Sequence, residues 1–200
     1  MDEIVLRGMA KWPNVPAVYG WLGLDRRGQW QLKGERIANP GVSAFIGRNY
    51  ARDEQGRWFF QNGPQRVFIA LEYAPFVYRV VGAHDAPLEL ETHVGMSVTR
   101  VRGAWVDENG IALLETEHGP GTVYDADLDR LIASFCDAGG VPLDDAALEE
   151  RMETLQLGQR APLWLRYRDA TVRVDPVRSQ DVPRRFGFVP CPAAPHGASS

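Results

Sequence analysis

Lysine is nearly absent from this chain: apart from Lys11 and Lys33, every basic side chain is arginine. Cysteine is as scarce. Cys136 and Cys191 are too few and too far apart for a disulfide framework, which points to a reducing compartment. The four histidines (His84, His93, His118, His196) form no ligand cluster with the cysteines, so no metal is expected. No apolar run approaches the ~20 residues that a membrane span needs. The opening Met1-Asp2-Glu3 has neither the basic nor the apolar region of a signal peptide, and a soluble, cytoplasmic protein is expected. A net charge of −4 argues against a nucleic-acid partner, which would require clustered cations to neutralise phosphates. A Gly-x-Ser-x-Gly turn is missing, and no cofactor motif is present.

What is present describes a build. With 200 residues the chain buries roughly 70 % of its unfolded surface, enough for a core without staples. Residues 9–16, with Trp12, Pro13 and Pro16, read as a covering strap, because proline fixes the chain and removes donors. Tyr19–Leu24 and Gln29–Lys33 alternate around the turn Asp25-Arg26-Arg27-Gly28, a hairpin. Asn39 as N-cap and Pro40 in the first turn open a helix expected to reach Arg52, with Val42, Phe45, Ile46 and Tyr50 as its apolar stripe. Arg57–Phe60 and Gln65–Leu71 are strands, the second apolar on both faces and therefore central.

Leu88–Val94 alternates as a half-buried strand with Glu89, Glu91 and His93 on its wet face. Val98–Val106 and Ile111–Glu117 form a hairpin, and His118-Gly119-Pro120-Gly121 reads as a turn. A second helix is capped by Asp125, with Leu128, Leu131, Ile132 and Phe135 as its stripe. A third helix starts after Asp144, and a last hairpin spans Pro162–Asp175. Phe45, Ile46, Ile69, Leu71, Leu131 and Phe135 should be buried, and Phe45→Ala should cost about 3–5 kcal/mol. The expected fold is α+β: antiparallel and β-rich, with two related lobes, one helix on the first and two on the second. The lobes would span residues 1–95 and 96–178. A Pro/Ala/Ser-rich tail at 179–200 would be loose beyond Phe188.

Four stretches carry a family likeness. Gly28-Gln29-Trp30, the helix opening Asn39-Pro40, Gly56-Arg57-Trp58-Phe59-Phe60 and Leu71-Glu72-Tyr73-Ala74-Pro75-Phe76-Val77 together resemble a bacterial domain-of-unknown-function family, numbered twelve eighty-five. The order of parts is similar over about Leu24 to Val101. Trp12-Pro13-Asn14-Val15-Pro16 and Asn62-Gly63-Pro64 lie outside that pattern, so membership is of that family or of a proteobacterial sister. The resemblance implies a cytoplasmic α+β protein with two related β-rich lobes and a regulatory or signalling role. It implies no catalytic residue.

The chemical constellations are weak. Glu89, Glu91 and His93 stand ~7 Å apart along a strand, too far for one ion at about 2 Å without a partner strand. The Gly-rich stretch before Asp125, Asp127 and Asp129 would repel phosphate. Ser43, Ser97, Ser134 and Cys136 have no histidine beside them in sequence, and Cys136 reads as a small core residue. Two functions remain: a non-enzymatic module that binds a small molecule or protein partner, or an enzyme with acid and base groups assembled from distant segments. The module is preferred. Trp12, Arg48, Asn49 and Arg52 are its candidate ligand-binding residues, since aromatic and Arg side chains dominate binding hot spots. That reading requires Trp12 and Arg48 to border one groove, with Arg48 free of any carboxylate.

Overall fold

The computed structural model describes residues 1–12, 15–83 and 86–194. Pro13 and Asn14 of the expected strap, together with His84 and His196, lie outside the described residues. The chain is α+β and strand-rich, with a six-stranded and an eight-stranded sheet. It divides into two compact units. Met1–Pro75 and the chain from Gly187 make the first, and Phe76–Phe186 makes the second. This differs from the division at residue 95 drawn from the sequence.

The first unit contains α1 (Glu3–Lys11), β1 (Val18–Leu24), β2 (Trp30–Leu32) and β3 (Glu35–Arg36). After these come α2 (Pro40–Arg48), β4 (Tyr50–Arg52), β5 (Trp58–Asn62) and β6 (Gln65–Leu71), in the sheet order β3-β2-β1-β6-β5-β4. The sheet is mixed, not antiparallel: β1 and β6 run parallel at its centre, because α2 and the β4–β5 hairpin supply the long crossover that a parallel pair needs. The hairpin at Asp25 forms as its turn chemistry dictates, with the Asp25 carboxylate accepting from Arg27 N and Gln29 N.

α2 starts where expected, with Asn39 Oδ1 accepting from Gly41 N at 2.9 Å and Val42 N at 3.2 Å. It stops at Arg48, four residues short of expectation, and Tyr50–Arg52 pairs with β5 instead. Of the predicted stripe only Ile46 is buried; Phe45 is half-buried, edge-on to Phe60 at 5.5 Å. Phe45→Ala should therefore cost about 1–2 kcal/mol in urea unfolding, not 3–5, because part of the ring is already in water. Ile69, Leu71, Leu131 and Phe135 are buried.

The strap corrects more sharply. Met9–Lys11 belong to α1, not to an extended segment, and Trp12 is the C-cap, its N–H donating to Gly8 O at 3.1 Å. The segment after Phe186 is also more tightly held than expected. Val189 N donates to Gly56 O at 3.0 Å and Leu71 N to Pro190 O at 2.8 Å.

The second unit contains β7 (Phe76–Val81), β8 (Glu89–Thr92), β9 (Val101–Val106), β10 (Ala112–Thr116) and β11 (Pro120–Val123). It continues with α3 (Leu128–Ile132), β12 (Phe135–Cys136), α4 (Asp145–Gln156), β13 (Trp164–Tyr167), β14 (Ala170–Pro176) and α5 (Val182–Phe186). Its sheet order is β12-β13-β14-β9-β10-β11-β7-β8, again mixed, with β9/β14 and β7/β11 parallel. Among the described residues the first unit carries two helices and the second three, against the expected one and two. Asp144 caps α4 through Ala147 N at 2.8 Å. Phe135 is in a strand, not on the helix stripe, and Pro120 opens a strand where a turn was expected.

Candidate functional site

An apolar recess lies in the first unit. Its volume is about 510 Å³, within the 300–1,000 Å³ typical of small-molecule sites. It arises from an irregular register in the central parallel pair. Val18 pairs with Val67, but the next pair is Leu22 with Ile69, so β1 bulges away from β6 between them. The bulge turns Trp21 out, 51 % exposed, at the mouth. Leu32 of β2 (49 %) and Val42 of α2 (44 %) complete a rim of large apolar side chains in water. Ile46 and Phe60 form buried parts of the wall, and Asn62 and Gln65 supply its amide groups. Gln65 Nε2 donates to Pro16 O at 3.0 Å. Lys33 Nζ stands 4.0 Å from the centre of the Trp21 ring, a cation–π contact that steadies the indole at the rim.

The four residues expected to bind a ligand are not in this recess. Arg48 Nε pairs with the Asp2 carboxylate at 3.2 Å, contrary to the expectation of a free guanidinium. Asn49 is fully buried. Its Oδ1 accepts from Asp2 N at 2.7 Å and its Nδ2 donates to Phe45 O at 2.9 Å, which ends α2 and anchors the start of α1. Arg52 donates to Gly187 O at 2.5 Å. Trp12 is 55 % exposed beneath the Lys11 ammonium, 4.6 Å from its ring. Three of the four therefore hold parts of the first unit together. Trp21, Leu32 and Val42 were missed. The available signal was a Trp between Gly20 and Gly23, on the strand face opposite Leu22 and Leu24.

The acid–base candidates do not assemble. His93 does not share a wet face with Glu89 and Glu91: its Nδ1 accepts from Val77 N at 3.3 Å, its Nε2 is shielded from solvent, and burial pulls its pKa down to about 3. Among the described residues no three of His, Cys, Asp and Glu gather as a metal site. His118 Nε2 meets the backbone carbonyl of Ser97 at 2.9 Å, not its hydroxyl. A second recess of about 580 Å³, in the second unit, presents Asp129, Arg130, Ser134, Arg166 and Arg168. Arg130 is already spent on the carbonyls of Val80, Val81 and Ala83. No helix among the described residues is long and apolar enough to cross a membrane.

The fold is α+β, built on two mixed sheets, with an apolar recess in the first unit. The chain belongs to the family described as protein of unknown function (DUF2946), whose model matches residues 1–193. Its fold is similar to that of a DUF1285 family protein from Silicibacter pomeroyi DSS-3. That match has a TM-score of 0.53 and 18% identity, over 82% of this chain and 85% of the other. A DUF1285 family protein from Shewanella baltica OS155 also matches, with a TM-score of 0.42 and 17% identity, over 56% of this chain and 91% of that one. No curated protein matches. The likeness expected from Leu71–Val77 and its companions is thus one of fold, between this family and the DUF1285 proteins.

Proposed function

We propose that this protein is a non-enzymatic binding module, cytoplasmic and regulatory, whose first unit takes up a small apolar molecule. The observation that carries the proposal is the recess rimmed by Trp21, Leu32 and Val42. Three large apolar side chains kept in water around one cavity form an unsatisfied surface that a ligand would cover. Covering apolar surface contributes about 25 cal/mol per Å², and the amides of Asn62 and Gln65 would orient whatever polar end the ligand has. Neither nucleic acid nor membrane is proposed as a partner. We also propose that the two units are related. Strands β9 to β14 follow the order β12-β13-β14-β9-β10-β11, which repeats β4-β5-β6-β1-β2-β3 with the same pairing directions, and this supports a common motif.

The test uses 1-decanol as an apolar probe, followed by the shift in melting temperature and by tryptophan fluorescence. Wild type should be stabilised progressively as the probe concentration rises, with the logarithmic dependence expected of a ligand that binds only the folded state. Val42→Arg, at a half-exposed rim position, should keep the melting temperature of the free protein and abolish the shift. An unchanged shift in that variant would remove the site.

A further inference from the structure

The central parallel pair of the second unit is joined for only part of its length. β9 begins at Val101 and β14 at Ala170, yet the ladder between them runs only over Val174–Pro176 against Ala104–Val106. On their outer sides the same stretches are paired, β14 in regular register and β9 through a bulge that leaves Arg102 as the extra residue. Val101 and Gly103 pair with Thr116 and Glu115 of β10, and Thr171 and Val172 pair with Arg166 and Leu165 of β13. The inner edges of Val101–Gly103 and Ala170–Arg173 therefore face each other across an open groove, two strand edges of the kind that accept a further strand.

The groove is strongly cationic. Arg100 and Arg102 line one bank, and Arg168 and Arg173 line the other, with Asp169 as the one carboxylate among the lining residues. Such a concentration of guanidinium groups in a chain of net charge −4 is a local choice, not a bulk property. Arg173 is partly engaged, with Asp175 at 3.6 Å, and Arg168 donates to Val98 O at 3.2 Å. Arg100 and Arg102 have no carboxylate partner among the described residues. Nearby Glu117 accepts from Thr99 and from the backbone N–H of Arg100 and makes no ion pair with either guanidinium. Arg168 also holds a left-handed backbone, φ 54°, in the tight turn between β13 and β14, a position where Asn or Gly is favoured. The long cation is thus set at the mouth of the groove at a conformational cost.

We infer that the split between β9 and β14 docks an extended acidic segment of a partner protein. The segment adds as a strand along the open edges, its carboxylates meeting Arg100, Arg102 and Arg173. Main-chain hydrogen bonds supply affinity in this mode, and alternate side chains supply selectivity. Paired guanidinium and carboxylate groups add charge-assisted hydrogen bonds that weaken with salt.

A fluorescein-labelled, capped peptide of alternating Glu and Val, about six to eight residues long, is the probe, read by anisotropy against the full chain. Binding is expected. It should fall as sodium chloride rises from 50 to 300 mM, about tenfold or more, and by a similar factor in Arg100→Ala/Arg102→Ala. Both arginines are exposed, so the double variant should melt where wild type does. Arg100→Glu/Arg102→Glu should reverse the preference and bind the matching Lys–Val peptide, which shows that a variant losing the acidic peptide is still folded. A Glu–Val peptide N-methylated on alternate amides should bind at least tenfold more weakly. Equal binding of the methylated peptide would overturn strand docking in favour of a simple polyanion surface. Failure of the unmethylated peptide to bind would overturn the inference altogether.

Discussion

Tyr78→Ala is expected to destabilise the second unit by about 3–5 kcal/mol, the range for truncating a large buried aromatic side chain. Tyr78 has no exposed surface and sits in β7 between β8 and β11, opposite Thr92 on one side and Val123 on the other. Its hydroxyl is the middle of a hydrogen-bonded chain. His118 N donates to Thr116 Oγ1 at 3.0 Å, Thr116 Oγ1 and Tyr78 Oη are 2.7 Å apart, and Tyr78 Oη donates to Gly119 O at 2.7 Å. Burial pushes the phenol above its ordinary pKa, so the donor stays protonated at neutral pH. Tyr78→Phe keeps the ring and deletes the link, leaving buried Thr116 and Gly119 O each one partner short. About 1–2 kcal/mol should be lost. Urea unfolding of both variants separates packing from hydrogen bonding. A loss below about 0.5 kcal/mol in Tyr78→Phe would mean that the chain contributes nothing to stability.

The elements that were legible in the sequence are those whose causes are local. Asn39-Pro40 and Asp144 announce helix starts because cap and first turn lie within a few residues of each other. The turns at Asp25–Gly28 and Asp107–Gly110 announce hairpins for the same reason, the aspartate carboxylate holding the loop's own N–H groups. What was not legible depends on partners far away. Tyr50 falls on the stripe of α2 by spacing, yet the buried Asn49 side chain takes Phe45 O and Asp2 N, and the chain turns into β4. Pro120-Gly121 reads as a turn until β7 lies beside it. A Cβ on Gly121 would stand 2.6 Å from Phe76 O, so glycine serves close strand approach there and not a bend.

The candidate site was less legible than the fold. Trp12, Arg48 and Arg52 carry the composition of a hot spot, but Asp2 and Gly187, distant in sequence, engage both arginines. The rim of the recess depends on a register irregularity between two strands on either side of α2, which no residue pattern within either strand reveals. Val42 illustrates the limit well. Its spacing places it on the apolar stripe of α2, and that stripe does face the sheet, but at Val42 the two do not close.

Acidification from pH 6.5 towards 3 is expected to unfold the protein progressively through His93. Burial lowers the pKa of this imidazole from 6.5 to about 3. The Phe76 ring packs 5.9 Å from it, and Val77 N donates to its Nδ1. In this window the unfolded chain binds a proton that the folded protein refuses, so stability is complete above pH 6.5 and declines below it. By pH 4.5 the loss should be about 2–3 kcal/mol, at 1.36 kcal/mol per pH unit between the two pKa values, less whatever the half-buried ring regains from solvent. Glu117 acts in a lower window. Burial raises its carboxyl, but the hydrogen bonds from Thr99 and Arg100 prevail and bring it down to about 2, so its contribution is lost only as pH falls below 4.5. The interval between pH 6.5 and 4.5 therefore isolates the histidine. His93→Gln retains an acceptor for Val77 N without a titrating group. Urea midpoints at pH 7.0 and 5.0 should converge for this variant and separate for wild type. Equal pH dependence in the two proteins would place the acid sensitivity elsewhere.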